Sequence, residues 1–296
     1  MPDRLVFAGP ASKEFGNALA QRLNLPTLSV EVKEFSDTET KYRFEENVSG
    51  TSILLVQSTY PPVDKNYMQL FLAAHHLSQE GARVHAVIPY MGYARQDKQF
   101  LKGEVVSLGV ISHLLRTCGV MRVTTVDIHS AEGLALFAMP TYSVSAIPSL
   151  AQYVKKNLKL ESPVVVSPDF GSSRRTEAFA ALYGAQHMQF AKERDRTTGE
   201  VRVETGKMEV EGRDVIIVDD MISTGGTVRA AAEKLRAARD GKIIVTCVHA
   251  LLIAGAYERL LEAGVDEIIG TNTVPSKVSK VDATEPLAAY LRTVSE

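Results

Sequence analysis

Apolar residues in this chain gather into short continuous runs, and between them lie longer stretches with helical spacing. Leu5 to Ala8, Ser52 to Gln57, Val84 to Ile88 and Val123 to Val126 are strand-like. Asn66 to Gln79 and Val105 to Thr117 place their apolar residues at helical intervals. The second half repeats the theme, with strand-like runs at Val164 to Val166, Val215 to Val218 and Ile243 to Val248. Helical patterns there cover Thr176 to Tyr183, Val228 to Ala238 and Ala256 to Glu262. Apolar runs without alternation suit strands covered on both faces. Their regular exchange with helices predicts an α/β protein of mostly parallel sheets flanked by helices.

The two halves echo each other. Val87 to Arg95 and Val166 to Arg174 carry Val, Pro, Gly and Arg at the same offsets, and Val126-Asp127 echoes Val218-Asp219. We therefore expect two related domains, residues 1–145 and 146–285. The boundary falls near the Ser- and Pro-containing stretch Ser143 to Ser149. A terminal helical segment, Pro286 to Val294 within residues 286–296, is expected to pack back on the first domain.

Composition narrows the class. A length of 296 residues suits two domains, and 45% hydrophobic with 23% charged residues is ordinary for a soluble globular protein. The net charge of −2 argues against general nucleic-acid binding, which needs a basic surface. No apolar run is long enough to cross a membrane, and residues 1–8 lack the pattern of a secretory signal. The two cysteines, Cys118 and Cys247, sit in apolar surroundings without metal-type spacing. They are read as reduced core thiols of a cytoplasmic protein.

The segment Val215 to Thr227 carries the most chemistry. A buried strand, Val215 to Val218, leads into two carboxylates, Asp219 and Asp220. A loop of small residues follows, Ser223-Thr224-Gly225-Gly226-Thr227, and a helical run begins directly after it. Ligands of open α/β sheets bind beyond the carboxyl ends of strands. Small residues leave backbone N–H groups open, and a helix amino terminus adds partial positive charge, so the loop is a cradle for a phosphate monoester. Carboxylates suit vicinal hydroxyls or a hydrated Mg²⁺ instead. Phosphate at one end and diol at the other describe a ribose 5-phosphate group.

Three first-half segments are more polar than folding requires. Phe35-Ser36-Asp37-Thr38-Glu39 sets an aromatic and two carboxylates at alternate positions, which share one face if the backbone is extended. That face suits a purine, or is an amphipathic strand with one buried Phe. Tyr93 to Lys98 offers Arg95, a forked cation suited to phosphate oxygens, beside Gln96. Asp127-Ile128-His129-Ser130 ends another strand, where a neutral imidazole either serves structure or contacts a metal–triphosphate.

The motif at Asp219 to Thr227 resembles the PRPP-binding motif shared by type I phosphoribosyltransferases and ribose-phosphate diphosphokinases (PRPP is 5-phosphoribosyl 1-diphosphate). The remaining segments resemble the diphosphokinase family, also called PRPP synthetases, and the resemblance spans Phe35 to Thr227. Its markers are Phe-Ser-Asp-x-Glu at 35–39, Ile-Pro-Tyr-x-Gly-Tyr-Ala-Arg-Gln-Asp at 88–97, Asp-Ile-His at 127–129 and Ser-Pro-Asp at 167–169. Lys192-Glu193-Arg194 matches the family's basic catalytic loop. Tyr-Ala-Arg-Gln-Asp separates this family from the transferases.

The resemblance implies two tandem phosphoribosyltransferase-type domains, the first with ATP-site segments and the second with the sugar-phosphate site and catalytic loop. It implies transfer of the diphosphoryl group of MgATP to the 1-hydroxyl of ribose 5-phosphate, giving PRPP and AMP for nucleotide biosynthesis. Phe35, Asp37 and Glu39 would hold adenine in a neighbouring subunit's site, making the protein a homodimer or higher homo-oligomer. Arg95, Gln96 and His129 would contact ATP, with His129 and Asp169 around the metal. Asp219, Asp220 and Ser223 to Thr227 would hold ribose 5-phosphate, and Lys192 and Arg194 would close over the reaction. Ser223 stands where an acidic residue is usual, and Ser130 to Glu132 and Ser172 to Arg175 also depart from the common bacterial pattern. No role is carried over to Arg174 or Arg175. A transferase that consumes PRPP and a non-catalytic regulatory relative remain as alternatives.

Overall fold

The computed structural model describes residues 3–169, 172–189, 191–194, 201–204, 210, 212–238 and 241–294, with 189, 191–194, 201–204 and 238 described by backbone alone. The chain divides into two units, Met1–Ser145 with Ala283–Glu296, and Ala146–Asp282.

The first unit opens with β1 (Arg4–Ala8), α1 (Lys13–Leu23) and an antiparallel hairpin of β2 (Val30–Glu34) and β3 (Thr40–Phe44). Then come β4 (Ser52–Val56), α2 (Val63–Gln79), β5 (Arg83–Ile88), α3 (Ser107–Thr117), β6 (Val120–Val126) and β7 (Thr141–Val144). The strands form one parallel sheet in the order β1-β4-β5-β6-β7, and Thr27 bridges Val6 on the free side of β1. β4 is buried along its whole length, as the apolar run Ile53 to Val56 requires. One face of the sheet meets Leu70, Ala74 and Leu77 of α2 and Leu108 and Leu115 of α3 in a continuous core.

The second unit contains α4 (Ile147–Asn157), β8 (Val164–Ser167), α5 (Ser173–Tyr183), β9 (Gln186–Gln189), and a hairpin of β10 (Ala191–Arg194) with β11 (Val201–Glu204). It continues through β12 (Val215–Ile222), α6 (Gly226–Ala238), β13 (Ile243–Ala250), α7 (Ala256–Glu262), β14 (Glu267–Thr271) and β15 (Ser279–Val281). Its sheet is parallel throughout, in the order β15-β14-β13-β12-β8-β9. The last helix, α8 (Thr284–Thr293), belongs to the first unit. Tyr290 of α8 stacks on Tyr142 of β7 with centroids 4.1 Å apart, and Arg22 Nε donates to Thr284 Oγ1 at 2.8 Å.

The parallel α/β architecture follows the expectation from the apolar runs. The proposed sequence echo does not. Both units follow one chain order: strand, helix, short outer pairing, antiparallel hairpin, then three or more strands on the opposite side. In that order β1 matches β8, β4 matches β12 and β5 matches β13. Val87 to Arg95 follows β5 and Val166 to Arg174 follows β8, so these segments are not counterparts. Pro and Gly recur at strand ends because many strand-to-loop junctions need them, whichever strand is concerned.

A candidate sugar-phosphate and nucleotide site

In the second unit the chain leaves β8 toward β9 on one side and returns as β12 on the other. Such a reversal opens a crevice beyond the carboxyl ends of the two strands. β8 pairs with β12 only from Val215 to Ile217, while β12 runs on to Ile222. The strand therefore extends past the expected end at Val218, and Asp219 and Asp220 lie within it, on the stretch that projects beyond β8. Both are buried, at 8% and 3% exposure.

Three residues stand beside this pair: Asp169 after β8, Ser172 just before α5, and Arg175 in the first turn of α5. Ser172 Oγ donates to Asp219 Oδ1 at 2.6 Å, and Ser172 N–H donates to Asp169 Oδ1 at 3.1 Å. Arg175 Nη2 stands 3.9 Å from Asp220 Oδ2. The carboxyl of Asp219 is pushed well above the usual range, first by burial, then by the charge of Asp220, with Asp169 adding to it. The Ser172 hydrogen bond works the other way. On β13, burial and the same two carboxylates push up the Cys247 thiol, which lies opposite Asp219 in the ladder. The crevice thus concentrates negative charge and favours a ligand bringing hydroxyl donors or a cation.

Ser223 to Gly225 join β12 to α6, and Gly226 and Thr227 begin the helix. Gly225 has φ +75°, a region that disfavours side chains, and a Cβ there would meet Leu260 Cδ1 at 3.4 Å and Ala256 Cβ at 3.6 Å. Gly226 opens α6 with nothing within 4 Å of a would-be Cβ. A helix amino terminus with open glycine backbone can receive an anion beside the acidic crevice.

In the first unit the other candidates stand at the carboxyl edge of the sheet or on its hairpin. Arg95 and Gln96 follow β5, and both are exposed. The preceding turn is rigidly held: Gly92 N–H donates to Thr59 Oγ1 at 2.8 Å, and Tyr67 Oη donates to Gly92 O at 2.8 Å. Gln96 Oε1 accepts a hydrogen bond from Ser107 Oγ, tying it to the start of α3. His129 follows β6 and is exposed, next to buried Asp127, whose Oδ1 accepts from Ser145 Oγ at 3.0 Å.

Phe35 to Glu39 do not share an extended face. They form the turn of the β2–β3 hairpin, closed by Phe35 N–H to Glu39 O at 2.9 Å and Thr38 N–H to Phe35 O at 2.9 Å. Alternation along β2 and β3 ends at this turn. Phe35 is 40% exposed, with Lys33 Nζ 4.9 Å from its ring centroid, and Asp37 and Glu39 are exposed. The turn offers an aromatic and two acceptors to whatever approaches it.

Lys192 and Arg194 lie on β10, opposite Val203 and Val201 of β11. The segment expected as a basic catalytic loop is therefore a strand at Lys192 to Arg194, residues 195–200 lie outside the described residues, and so do the Lys192 and Arg194 side chains. Among the described residues no three His, Cys, Asp or Glu side chains gather closely enough to enclose a metal ion. No helix among them is long and apolar enough to cross a membrane.

The first unit shows what the same position looks like without this chemistry. Past the end of β4, the counterpart of β12, stands buried Gln57 in place of an acid pair. Its Oε1 accepts from Ala11 N–H at 3.1 Å, and its Nε2 donates to Gln69 Oε1 at 3.1 Å. That junction is filled by its own side chains.

The model of the N-terminal domain of ribose phosphate pyrophosphokinase matches residues 4–119, and the phosphoribosyl synthetase-associated domain matches residues 203–288. A ribose-phosphate pyrophosphokinase of Sulfurisphaera tokodaii is 36% identical over 98% of this chain and 100% of its own length. The chain belongs to the ribose-phosphate pyrophosphokinase family. A second pyrophosphokinase, from Pasteurella multocida, is 34% identical over 100% of this chain and 97% of its own. The crystal structure of phosphoribosylpyrophosphate synthetase from Mycobacterium smegmatis superimposes with a TM-score of 0.88 at 31% identity, covering 98% of both chains. Within this pyrophosphokinase chain, sequence reasoning missed Ser172, Arg175 and Arg259, each of which reaches the candidate site through tertiary contacts.

Proposed function

We propose that this pyrophosphokinase transfers the diphosphoryl group of ATP to the 1-hydroxyl of ribose 5-phosphate, releasing AMP and forming PRPP for nucleotide biosynthesis. The observation that carries this reading is the projecting end of β12, where buried Asp219 and Asp220 lead through Met221 and Ile222 into the small-residue loop opening α6. In this reading the loop Ser223, Thr224, Gly225, Gly226 and Thr227 receives the 5-phosphate, and Asp219 and Asp220 accept from the ribose hydroxyls.

Phe35, Asp37 and Glu39 take the adenine, by stacking and by accepting from its amino group, and serve a neighbouring subunit of a homo-oligomer. Arg95, Gln96 and His129 contact the nucleotide. Lys192 and Arg194 place positive charge at the diphosphoryl group in flight, where charge spreads over its oxygens. The hard oxygen donors of the acidic crevice suit Mg²⁺, which keeps most of its waters and is shared with substrate phosphates rather than caged by protein. Asp169 would help hold it there, and when bound it would neutralise triphosphate charge. The chain's own contribution is then to hold the sugar's 1-hydroxyl in line with the β-phosphorus and to exclude competing water.

The test is AMP formation from ATP and ribose 5-phosphate without any purine or pyrimidine base. A phosphoribosyltransferase would need PRPP and a base, and a non-catalytic relative would form no AMP.

A further inference from the structure

The loop Ser223 to Thr227 does not hold its shape alone. Leu252 N–H donates to Ile222 O at 2.9 Å, and Ile253 N–H donates to Ser223 O at 3.1 Å. Arg259 Nη2 donates to Thr224 O at 3.0 Å, and its Nη1 donates to Ala254 O. Three successive carbonyls, Ile222, Ser223 and Thr224, are thus taken up by one neighbouring segment, residues 252–259.

A trans peptide is planar, so its C=O and the following N–H point in opposite directions. Tying the three carbonyls to residues 252–259 turns the N–H groups of Ser223, Thr224 and Gly225 the other way. Successive N–H groups turned to one side form a concave anion site. The segment that does the tying is itself held in an unfavourable backbone. Leu252 at φ +46°, Ala254 at +52° and Gly255 at +72° all stand in the left-handed region, which costs Leu and Ala free energy and persists only where surroundings impose it. Leu260 and Ala256, on the same helix as Arg259, form the floor beneath Gly225.

We propose that Arg259 is a positioning residue for the sugar-phosphate loop: its guanidinium bridges Thr224 O and Ala254 O and thereby aims the loop's N–H groups at a phosphate monoester. This inference rests on the reading of Ser223 to Thr227 as the 5-phosphate site. A forked guanidinium can tie two carbonyls at once, whereas a lysine ammonium is a single point donor on a flexible stem. Arg259 lines an open surface hollow of about 460 Å³ between α6 and α7, so its truncation empties no core.

The experiment compares Arg259→Ala, Arg259→Lys and Thr227→Ala with the parent enzyme, varying ribose 5-phosphate at saturating ATP and then the reverse, with thermal midpoints recorded. Losing the tie should raise KM for ribose 5-phosphate about tenfold in Arg259→Ala while KM for ATP stays within about twofold. Arg259→Lys should fall between Arg259→Ala and the parent. A merely structural role would instead lower the thermal midpoint and move both constants together. If Thr227→Ala raises KM for the sugar phosphate and Arg259→Ala does not, Arg259 has no positioning role and the loop assignment stands. If neither variant changes it, the loop is not the phosphate site and the role of Arg259 falls with it.

Discussion

The hydroxyl of Ser172 donates to Asp219 Oδ1 at 2.6 Å, and both residues are buried. Through its N–H the same serine holds Asp169, so one residue at the start of α5 fixes two carboxylates at the mouth of the crevice. Removing the hydroxyl should leave Asp219 with one fewer donor. Ser172→Ala is expected to raise KM for ribose 5-phosphate and to cost about 1–2 kcal/mol of stability, the size of a lost buried hydrogen bond. Denaturant unfolding and steady-state kinetics check the two effects separately.

Asp219 should also carry a stability cost. Its carboxyl is raised by burial and by Asp220, with Asp169 adding to it, while Ser172 opposes the shift. Arg175 lies near Asp220 as the neighbouring cation, and Cys247 faces Asp219 from β13. A group raised in the folded state contributes stability below its unfolded pKa and loses it as pH rises through the folded value. Asp219→Asn removes that loss. The variant should therefore melt higher than the parent at neutral pH, with the difference shrinking in acid, while its activity falls. A lower midpoint at neutral pH would show that the charge at Asp219 is satisfied.

Asp220→Ala should impair use of the sugar phosphate more than use of ATP. Hydrogen bonds to charged groups contribute roughly 2 kcal/mol, so kcat/KM for ribose 5-phosphate should drop about thirtyfold. Near-normal kinetics would remove Asp220 from the site.

At the hairpin turn, Phe35→Ala should raise KM for ATP with little effect on folding, because the ring is 40% exposed and lies beside Lys33 at the surface. Base–aromatic stacking contributes about 1–3 kcal/mol per base, which sets the expected size of the effect. An unchanged KM for ATP would leave the aromatic with no role in nucleotide binding.

Lys192→Ala and Arg194→Ala should lower turnover far more than substrate affinity. Loss of one electrostatic stabiliser costs about 2–4 kcal/mol of the barrier. Equal turnover in both variants and the parent would exclude them from the chemistry.

Much of the fold was legible because buried parallel strands have few sequence options. Ile53 to Val56 and Val215 to Val218 are apolar on both faces, Ile243 to Val248 is so apart from Thr246, and each became a central strand. The acid pair and glycine loop were legible for a different reason, since their chemistry needs residues adjacent in sequence. The β2–β3 hairpin was harder. Val30, Tyr42 and Phe44 are only partly buried against the core, so its alternation is weak and its turn was read as strand. Ser172, Arg175 and Arg259 were invisible for a third reason. Ser172 meets Asp219 across 47 positions and Arg259 meets Thr224 across 35, pairings that exist only once the parallel sheet has formed.

The most direct test of the central claim is phosphorus NMR of purified protein with ATP, Mg²⁺ and ribose 5-phosphate, with no nucleobase present. AMP and PRPP should appear together in equal amounts, with the β- and γ-phosphorus signals of ATP moving as an intact diphosphate onto the sugar. Hydrolysis of ATP to ADP and phosphate, or no turnover until PRPP and a base are supplied, would contradict it.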